Sequence, residues 1–201
     1  MSAGRKATVF VIGLLTAGCG GKILYPSYYS LAIPSPPQPA LNGTRVAATL
    51  AIRRFETPAY LRQGRIVYRE APQEIGFYEY HRWAADPAST VTAAMIDALR
   101  SSRLFTFVTP YDGQQKPGYV MSGRIERLDE IDDGASVRVE TKLSAELVDE
   151  RTGATVWSDG ASTTLSVETH DVNSVVVEMS RATGKNIDQL VGSLSAQLRP
   201  D

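Results

Sequence analysis

The chain has 201 residues, 43% of them hydrophobic, with 21 basic and 22 acidic side chains and a formal net charge of −1. This length and composition suit one globular domain with a sizeable core, and the lack of a basic excess argues against nucleic acid as a partner. Cys19 is the only cysteine, which excludes an intramolecular disulfide.

The N-terminal residues have the pattern of an export signal. Arg5 and Lys6 precede an uncharged run at 7–17, which is too short to span a bilayer and typical of a signal peptide. Two small residues then lead to Cys19, as in a lipobox. We therefore predict a lipoprotein signal peptide over residues 1–18. Cys19 would carry a diacylglyceryl group and an N-acyl chain, and we predict no other cofactor. The alternative is an ordinary signal peptide, or a signal anchor, with an incidental cysteine.

The chain after the signal divides into a short tether and one domain. Residues 19–27 are predicted to be a lipidated tether, and residues 28–201 a single periplasmic domain. Within it, residues 28–33 are predicted to form a first strand because they are rich in aromatic and branched side chains. Residues 35–42 contain three prolines and predict an extended linker. Residues 44–55 predict a second strand.

Aromatic and arginine side chains alternate between residues 57 and 84. Segments 65–68 and 74–81 are predicted to pair as a β-hairpin. Because aromatic and arginine residues are enriched at interfaces, we predict a contact surface for a partner or a second copy here. The predicted contact residues are Tyr60, Leu61, Arg65, Tyr80 and Trp83. The alternative is a half-buried hairpin whose rings serve its own core. On the first interpretation, truncating Trp83 weakens assembly and leaves the monomer folded.

Two helices and four further strands are predicted downstream. Asp86 and Pro87 begin a helix whose apolar positions recur at helical spacing, and Asp171 caps a long second helix over 172–198. Gly184 interrupts that helix and is expected to cost stability or mark a bend. The strands are predicted at 105–109, 119–131, 137–147 and 156–167, the last three forming an antiparallel meander.

These elements predict an α+β fold. It is a two-layer α/β sandwich, with a mixed, largely antiparallel sheet and two main helices packed on one face.

No motif for catalysis or metal binding stands out. The chain lacks a nucleophile elbow, a P-loop and an H-E-x-x-H motif, and its two histidines, His81 and His170, have no ligand partner at metal spacing. Glu130, Asp132 and Asp133 could bind Ca²⁺, but a tight turn uses Asp and Gly in any case. We therefore predict that the protein is not an enzyme and holds no metal.

The order of several motifs resembles one lipoprotein family. They are Y-Y-S-L at 28–31, F-E-T-P-A-Y-L at 55–61, R-I-V-Y-R at 65–69, Y-H-R-W-A at 80–84, S-G-R-I-E at 122–126 and the hairpin from Leu147 to Trp157. This order is similar to that of the ABC-type transport auxiliary lipoproteins, which are associated with MCE systems. The resemblance covers nearly the whole mature chain.

The resemblance implies a location, partners and a function. Members are anchored to the periplasmic face of the Gram-negative outer membrane, and Gly20 after the cysteine favours that location by the usual sorting rule. The expected partners are an MCE-domain protein and an ABC transporter permease and ATPase, or a related inner-membrane component. Together they would move phospholipid or other hydrophobic molecules between the membranes and support membrane integrity. A ring-like homo-oligomer is also implied.

Two other functions remain open at the level of sequence. The chain could be an assembly lipoprotein of another envelope machine, such as a secretion or lipopolysaccharide-export system. It could also be a lipid-anchored enzyme, such as a hydrolase, which would require polar groups brought together in a cleft.

Overall fold

The computed structural model describes residues 24–34, 46–114 and 116–198, so the predicted signal peptide, Cys19 and the proline-rich linker lie outside the described residues. The elements in chain order are β1 (Ser27–Tyr29), β2 (Val46–Ile52), a 3₁₀ helix (Ala59–Gln63), β3 (Arg65–Arg69), β4 (Gly76–Trp83), α1 (Pro87–Ser102), β5 (Phe105–Pro110), β6 (Tyr119–Asp132), β7 (Val137–Asp149), β8 (Ala154–Val167) and α2 (Val172–Gln197).

One long strand, β6, organises the sheet. Along one edge it pairs with β7 in antiparallel orientation over its whole length, and β7 pairs in turn with β8. Along its other edge, β2 lies parallel to its first residues and β3 lies parallel to its last residues. β5 extends the sheet beyond β2, while β4 and β1 extend it beyond β3. The sheet therefore forks on one side of β6, and β1 and β8 lie at opposite edges.

Both helices pack on one face of this sheet. Alternate side chains of β7 are buried beneath α2, and the Asn186 side chain donates a hydrogen bond to the Thr141 carbonyl (2.9 Å). The Trp157 indole of β8 donates to the Ser193 hydroxyl of α2 (3.2 Å). α1 packs beside α2 and over β5. The predicted α+β sandwich with a mixed sheet is thereby confirmed.

Both predicted helix starts are capped as their sequences indicate. The Asp86 carboxylate accepts the backbone N–H of Ser89 (2.8 Å), and the Asp171 carboxylate accepts that of Ser174 (3.0 Å). Each carboxylate thus satisfies a backbone donor that the helix itself leaves free. None of the helices among the described residues combines the length and apolarity that a membrane span requires.

The first strand is much shorter than predicted. β1 ends at Tyr29, and the residues after it run along α2 instead of continuing the sheet. The Ala32 N–H donates to the Ser180 hydroxyl (3.0 Å), and a Cβ at Gly184 would lie only 3.2 Å from the Pro34 ring. Gly184 therefore allows this segment to approach the helix closely, which explains a glycine in the interior of a helix.

Candidate contact surface at the β3–β4 corner

The aromatic and arginine-rich stretch folds into a corner of the sheet. We use "the corner" for the 3₁₀ helix together with β3 and β4. The 3₁₀ helix is held by the buried side chain of Leu61, and it ends at Gly64, whose φ of 71° favours glycine. The Gly64 carbonyl then accepts the backbone N–H of Trp83 (2.9 Å). β3 and β4 pair in antiparallel orientation, as the sequence predicts.

The predicted contact residues do not share one surface. Leu61 and Trp83 lie in the hydrophobic core, so neither is available to a partner in this structure, and the alternative interpretation of core-filling side chains holds for both. Tyr60 and Arg65 are half-buried, and Tyr80 is 38% exposed. A contact role for these three residues stays a prediction.

A buried ion pair joins the corner to β6. Arg69 Nε donates to Asp129 Oδ2 at 2.5 Å, and the Asp129 side chain is fully buried. The guanidinium also donates to the Pro72 carbonyl and lies 5.6 Å from the centre of the Tyr60 ring. The Tyr60 hydroxyl donates to the Glu126 carbonyl at 3.3 Å. This arrangement covers the charged pair and fixes the 3₁₀ helix against β6.

The burial of these groups affects their protonation. Burial and the nearby Asp129 charge raise the pKa of Tyr60 above its ordinary value. Although burial alone would lower the pKa of Arg69, its hydrogen bond and charge interaction with Asp129 raise it. Both side chains therefore keep their protons at neutral pH. Because they stay protonated, neither Tyr60 nor Arg69 acts as a general base there.

A second polar contact lies next to the first along β6. The Tyr78 hydroxyl donates to Glu130 Oε2 at 2.8 Å. Burial, together with the charge of Asp132, raises the pKa of Glu130 above its ordinary value. The Tyr78 ring also packs edge-to-face with the His81 ring, whose Nδ1 lies 2.9 Å from the Tyr29 hydroxyl. These contacts connect β1, β4 and β6.

In the acidic turn considered as a calcium site, the Asp132 and Asp133 carboxylates accept hydrogen bonds from backbone N–H groups of the turn itself. Asp132 accepts the N–H of Gly134, and Asp133 accepts those of Ala135 and Ser136. The carboxylates thus cap the turn between β6 and β7. Within the described ranges, no group of three or more His, Cys, Asp or Glu side chains is placed to hold a metal ion.

A comparison with protein families finds one family whose model matches the corner and most of the rest of the domain. The family described as "ABC-type transport auxiliary lipoprotein component" matches residues 29–191. The chain belongs to this family. The match includes β3, β4, α1, most of α2 and the β6–β8 meander, and it confirms the resemblance seen in the motifs. Membership makes the chain an auxiliary lipoprotein of ABC-type transport. A comparison with curated proteins finds no match.

Solved structures share the family fold at low sequence identity. The protein XCC0632 from Xanthomonas campestris is 17% identical, with a TM-score of 0.75 over 85% of this chain and 95% of that one. A variant of PelC from Paraburkholderia phytofirmans, described as a dodecamer, is 19% identical, with a TM-score of 0.50 over 76% of this chain and 92% of that one. At these identities the similarity shows the fold alone.

Sequence reasoning missed the two buried acid contacts of β6. Asp129 and Glu130 are adjacent residues in the middle of the sheet, and both are buried. Their positions inside a predicted strand were the available signal, because charged residues are rarely buried unless they are paired. Their partners, Arg69 and Tyr78, are 60 and 52 residues away in sequence, and no local pattern connects them.

Proposed function

We propose that the protein is a non-enzymatic, lipid-anchored accessory subunit of an MCE/ABC-type envelope transport system. The system would move phospholipid or other hydrophobic molecules between the inner and outer membranes. The family match over residues 29–191 carries this proposal. It covers β2 to β8, α1 and most of α2, so the proposed role belongs to the folded domain.

Cys19 would hold the domain at the periplasmic face of the outer membrane. The lipobox-like residues before it and Gly20 after it support this location. Each buried methylene of an acyl chain contributes about 0.8 kcal/mol, so three chains would keep the protein on the membrane throughout its lifetime. Lipid attachment would also use the only thiol of the chain.

The partners would be an MCE-domain protein and the permease and ATPase of an ABC transporter, or a related inner-membrane component. Three of the contact residues predicted from the sequence are accessible: Tyr80 is exposed, and Tyr60 and Arg65 are half-buried. Copies of the chain would also assemble into a ring. A protein of the same fold, PelC from Paraburkholderia phytofirmans, is described as a dodecamer, which supports this part of the proposal.

A complementation experiment tests the transport role. The gene is deleted, and the wild type, Cys19→Ala or the matched control Gly21→Ala is supplied in its place. We expect the deletion to increase detergent sensitivity and to change the phospholipid content of the outer leaflet. The wild type and Gly21→Ala restore both, and Cys19→Ala restores neither because it cannot be lipidated. A deletion that changes neither property, or full rescue by Cys19→Ala, contradicts the proposal.

A further inference from the structure

The position of the anchor relative to the folded domain limits which surface can face the membrane. The described part of the chain begins at Leu24, five residues after Cys19. Five residues span at most about 18 Å even when fully extended. If Cys19 carries lipid, Leu24 and its neighbours therefore lie within that distance of the bilayer. This step rests on the anchor proposed above.

The surface at this end of the domain exposes several apolar and aromatic side chains among polar ones. Leu24 and Tyr25 are exposed, and Tyr28 on β1 is 64% exposed. Across a groove of about 590 Å³, Val177 on α2 is 55% exposed. Tyrosine suits a boundary between hydrocarbon and water, because its ring is apolar and its hydroxyl needs a polar neighbour.

Cationic side chains lie beside these apolar ones. In the strand register, Tyr28 of β1 is directly opposite Arg82 of β4, and Arg82 is opposite Arg65 of β3. Neither neighbour offers a carboxylate, and Arg82 forms no ion pair within the part of the chain that the structure describes. Its Nε is buried without a hydrogen-bond partner among the described atoms. The residue as a whole is only partly buried, so the terminal nitrogens of the guanidinium are the ones that can bind a phosphate group with two hydrogen bonds.

The exposed face of the meander differs both in the pairing of its cationic side chains and in the polarity of its exposed residues. There the arginine and lysine side chains are paired with acids: Arg127 lies 2.6 Å from Glu140, and Lys142 lies 2.6 Å from Glu126. β8, at the edge opposite β1, exposes small polar residues such as Ser162. Exposed apolar side chains and an unpaired arginine thus occur together at the end of the domain that carries the anchor.

We propose that Leu24, Tyr25, Tyr28, Val177 and Arg82 form a membrane-contact surface, the anchor-proximal surface. It rests on the phospholipid leaflet that holds the Cys19 lipid. The apolar side chains enter the boundary between headgroups and acyl chains, and the Arg82 guanidinium binds a lipid phosphate. The domain is thereby oriented, with the β8 edge and the charged face of the meander directed towards the periplasm.

Site-directed spin labelling of the full, lipidated chain tests this orientation. Because acylation blocks the Cys19 thiol, a nitroxide can be attached to a single new cysteine in Tyr28→Cys or Val177→Cys, with Ser162→Cys as the matched control. The protein is reconstituted in vesicles of phosphatidylethanolamine and phosphatidylglycerol. We expect collisions with an aqueous nickel chelate to be several-fold less frequent at positions 28 and 177 than at 162, and collisions with oxygen to be more frequent. Equal accessibility of all three positions to nickel overturns the proposal.

Two further measurements identify which premise fails. The mass of the Cys19 peptide reports the anchor: an acylated Cys19 with water-exposed labels refutes the contact surface alone, whereas an unmodified Cys19 overturns both proposals. Dipolar coupling between labels at position 177, without contact with lipid, shows a second copy on the surface and also overturns the proposal.

Arg82→Gln should raise nickel accessibility at position 177 several-fold, whereas Arg138→Gln, on the face of the meander, should leave it unchanged. No difference between these two variants refutes the phosphate contact.

Discussion

At the level of single residues, the Arg69–Asp129 pair dominates the polar contacts of the corner. Removing only the arginine leaves a buried carboxylate without its counter-charge. We expect Arg69→Met to lower the free energy of unfolding by about 3–5 kcal/mol, measured by urea denaturation. The double variant Arg69→Met with Asp129→Leu should recover most of this loss, because both charges are then absent. A double variant as unstable as the single one contradicts this account.

A partly exposed ion pair provides the matched control for that measurement. Arg127 and Glu140 lie 2.6 Å apart, against 2.5 Å for Arg69 and Asp129, but their side chains are 36% and 22% exposed. Solvent screens such pairs, so Arg127→Met should cost about 1 kcal/mol or less. Equal losses in Arg69→Met and Arg127→Met would show that burial does not determine the strength of the contact.

The carboxyl of Glu130 should make stability depend on pH. Because its pKa is raised from the ordinary value of 4.5, the folded protein holds this proton at a higher pH than the unfolded chain does. The corresponding stability is fully present below the unfolded pKa and is lost as pH rises through the folded pKa. Glu130→Gln should therefore gain stability relative to the wild type as pH rises from about 4 to about 7. Thermal unfolding across that range measures the difference.

A second substitution checks the cause of this pH dependence. The Tyr78 hydrogen bond favours the charged form of Glu130, so Tyr78→Phe should raise the pKa further and be most destabilising near neutral pH. A stability difference between Glu130→Gln and the wild type that stays flat or shrinks with rising pH would contradict this explanation.

At the level of elements, close packing of the Phe55 ring against Gly123 connects the end of β2 to β6. Phe55 follows β2 and is fully buried against Gly123, where an added Cβ would overlap its ring. Gly123→Ala should therefore destabilise the protein by about 1–3 kcal/mol through overpacking. Gly160→Ala in β8 is the matched control, because its Cβ would make an ordinary contact with the Leu143 carbonyl. Equal stability of the two variants, measured by chemical denaturation, would refute the role of the close contact.

The corner shows where prediction from the sequence reached its limit. The hairpin was predicted correctly, because strand segments and their turn have a local pattern. The sequence did not predict which aromatic rings of the hairpin face solvent, because residue type alone does not distinguish an interface ring from a core ring. Trp83 is enclosed by the core, whereas Tyr80, three residues earlier, is exposed.

This difference between the two rings can be measured directly. Trp83→Ala should cost about 3–5 kcal/mol of unfolding free energy because it opens a cavity in the core. Tyr80→Ala should change stability by no more than about 0.5 kcal/mol. Calorimetry on both variants checks that Trp83→Ala is the more destabilising of the two. A Trp83→Ala protein as stable as the wild type would support the original prediction that Trp83 is a contact residue.

At the level of the whole molecule, the sequence predicted a layer of helices on a sheet, but it did not predict the order of the strands in that sheet. The sequence patterns that predicted the meander strands and the two helices are local, and the structure has a meander covered by helices. The fork, with β2 and β3 sharing one edge of β6, depends on pairings between distant residues, such as Tyr68 with Glu130. The same holds for the segment after β1, whose place on α2 depends on Gly184.

Co-purification tests the central claim, a role as accessory subunit of an MCE/ABC-type transport system, most directly. The protein with a C-terminal tag is purified from detergent-solubilised membranes of its native organism, and the co-purifying proteins are identified by mass spectrometry. We expect an MCE-domain protein together with an ABC permease or ATPase, both absent from an untagged control. Repeated recovery of a different envelope machine, with no MCE-domain protein in any of several detergents, would contradict the claim.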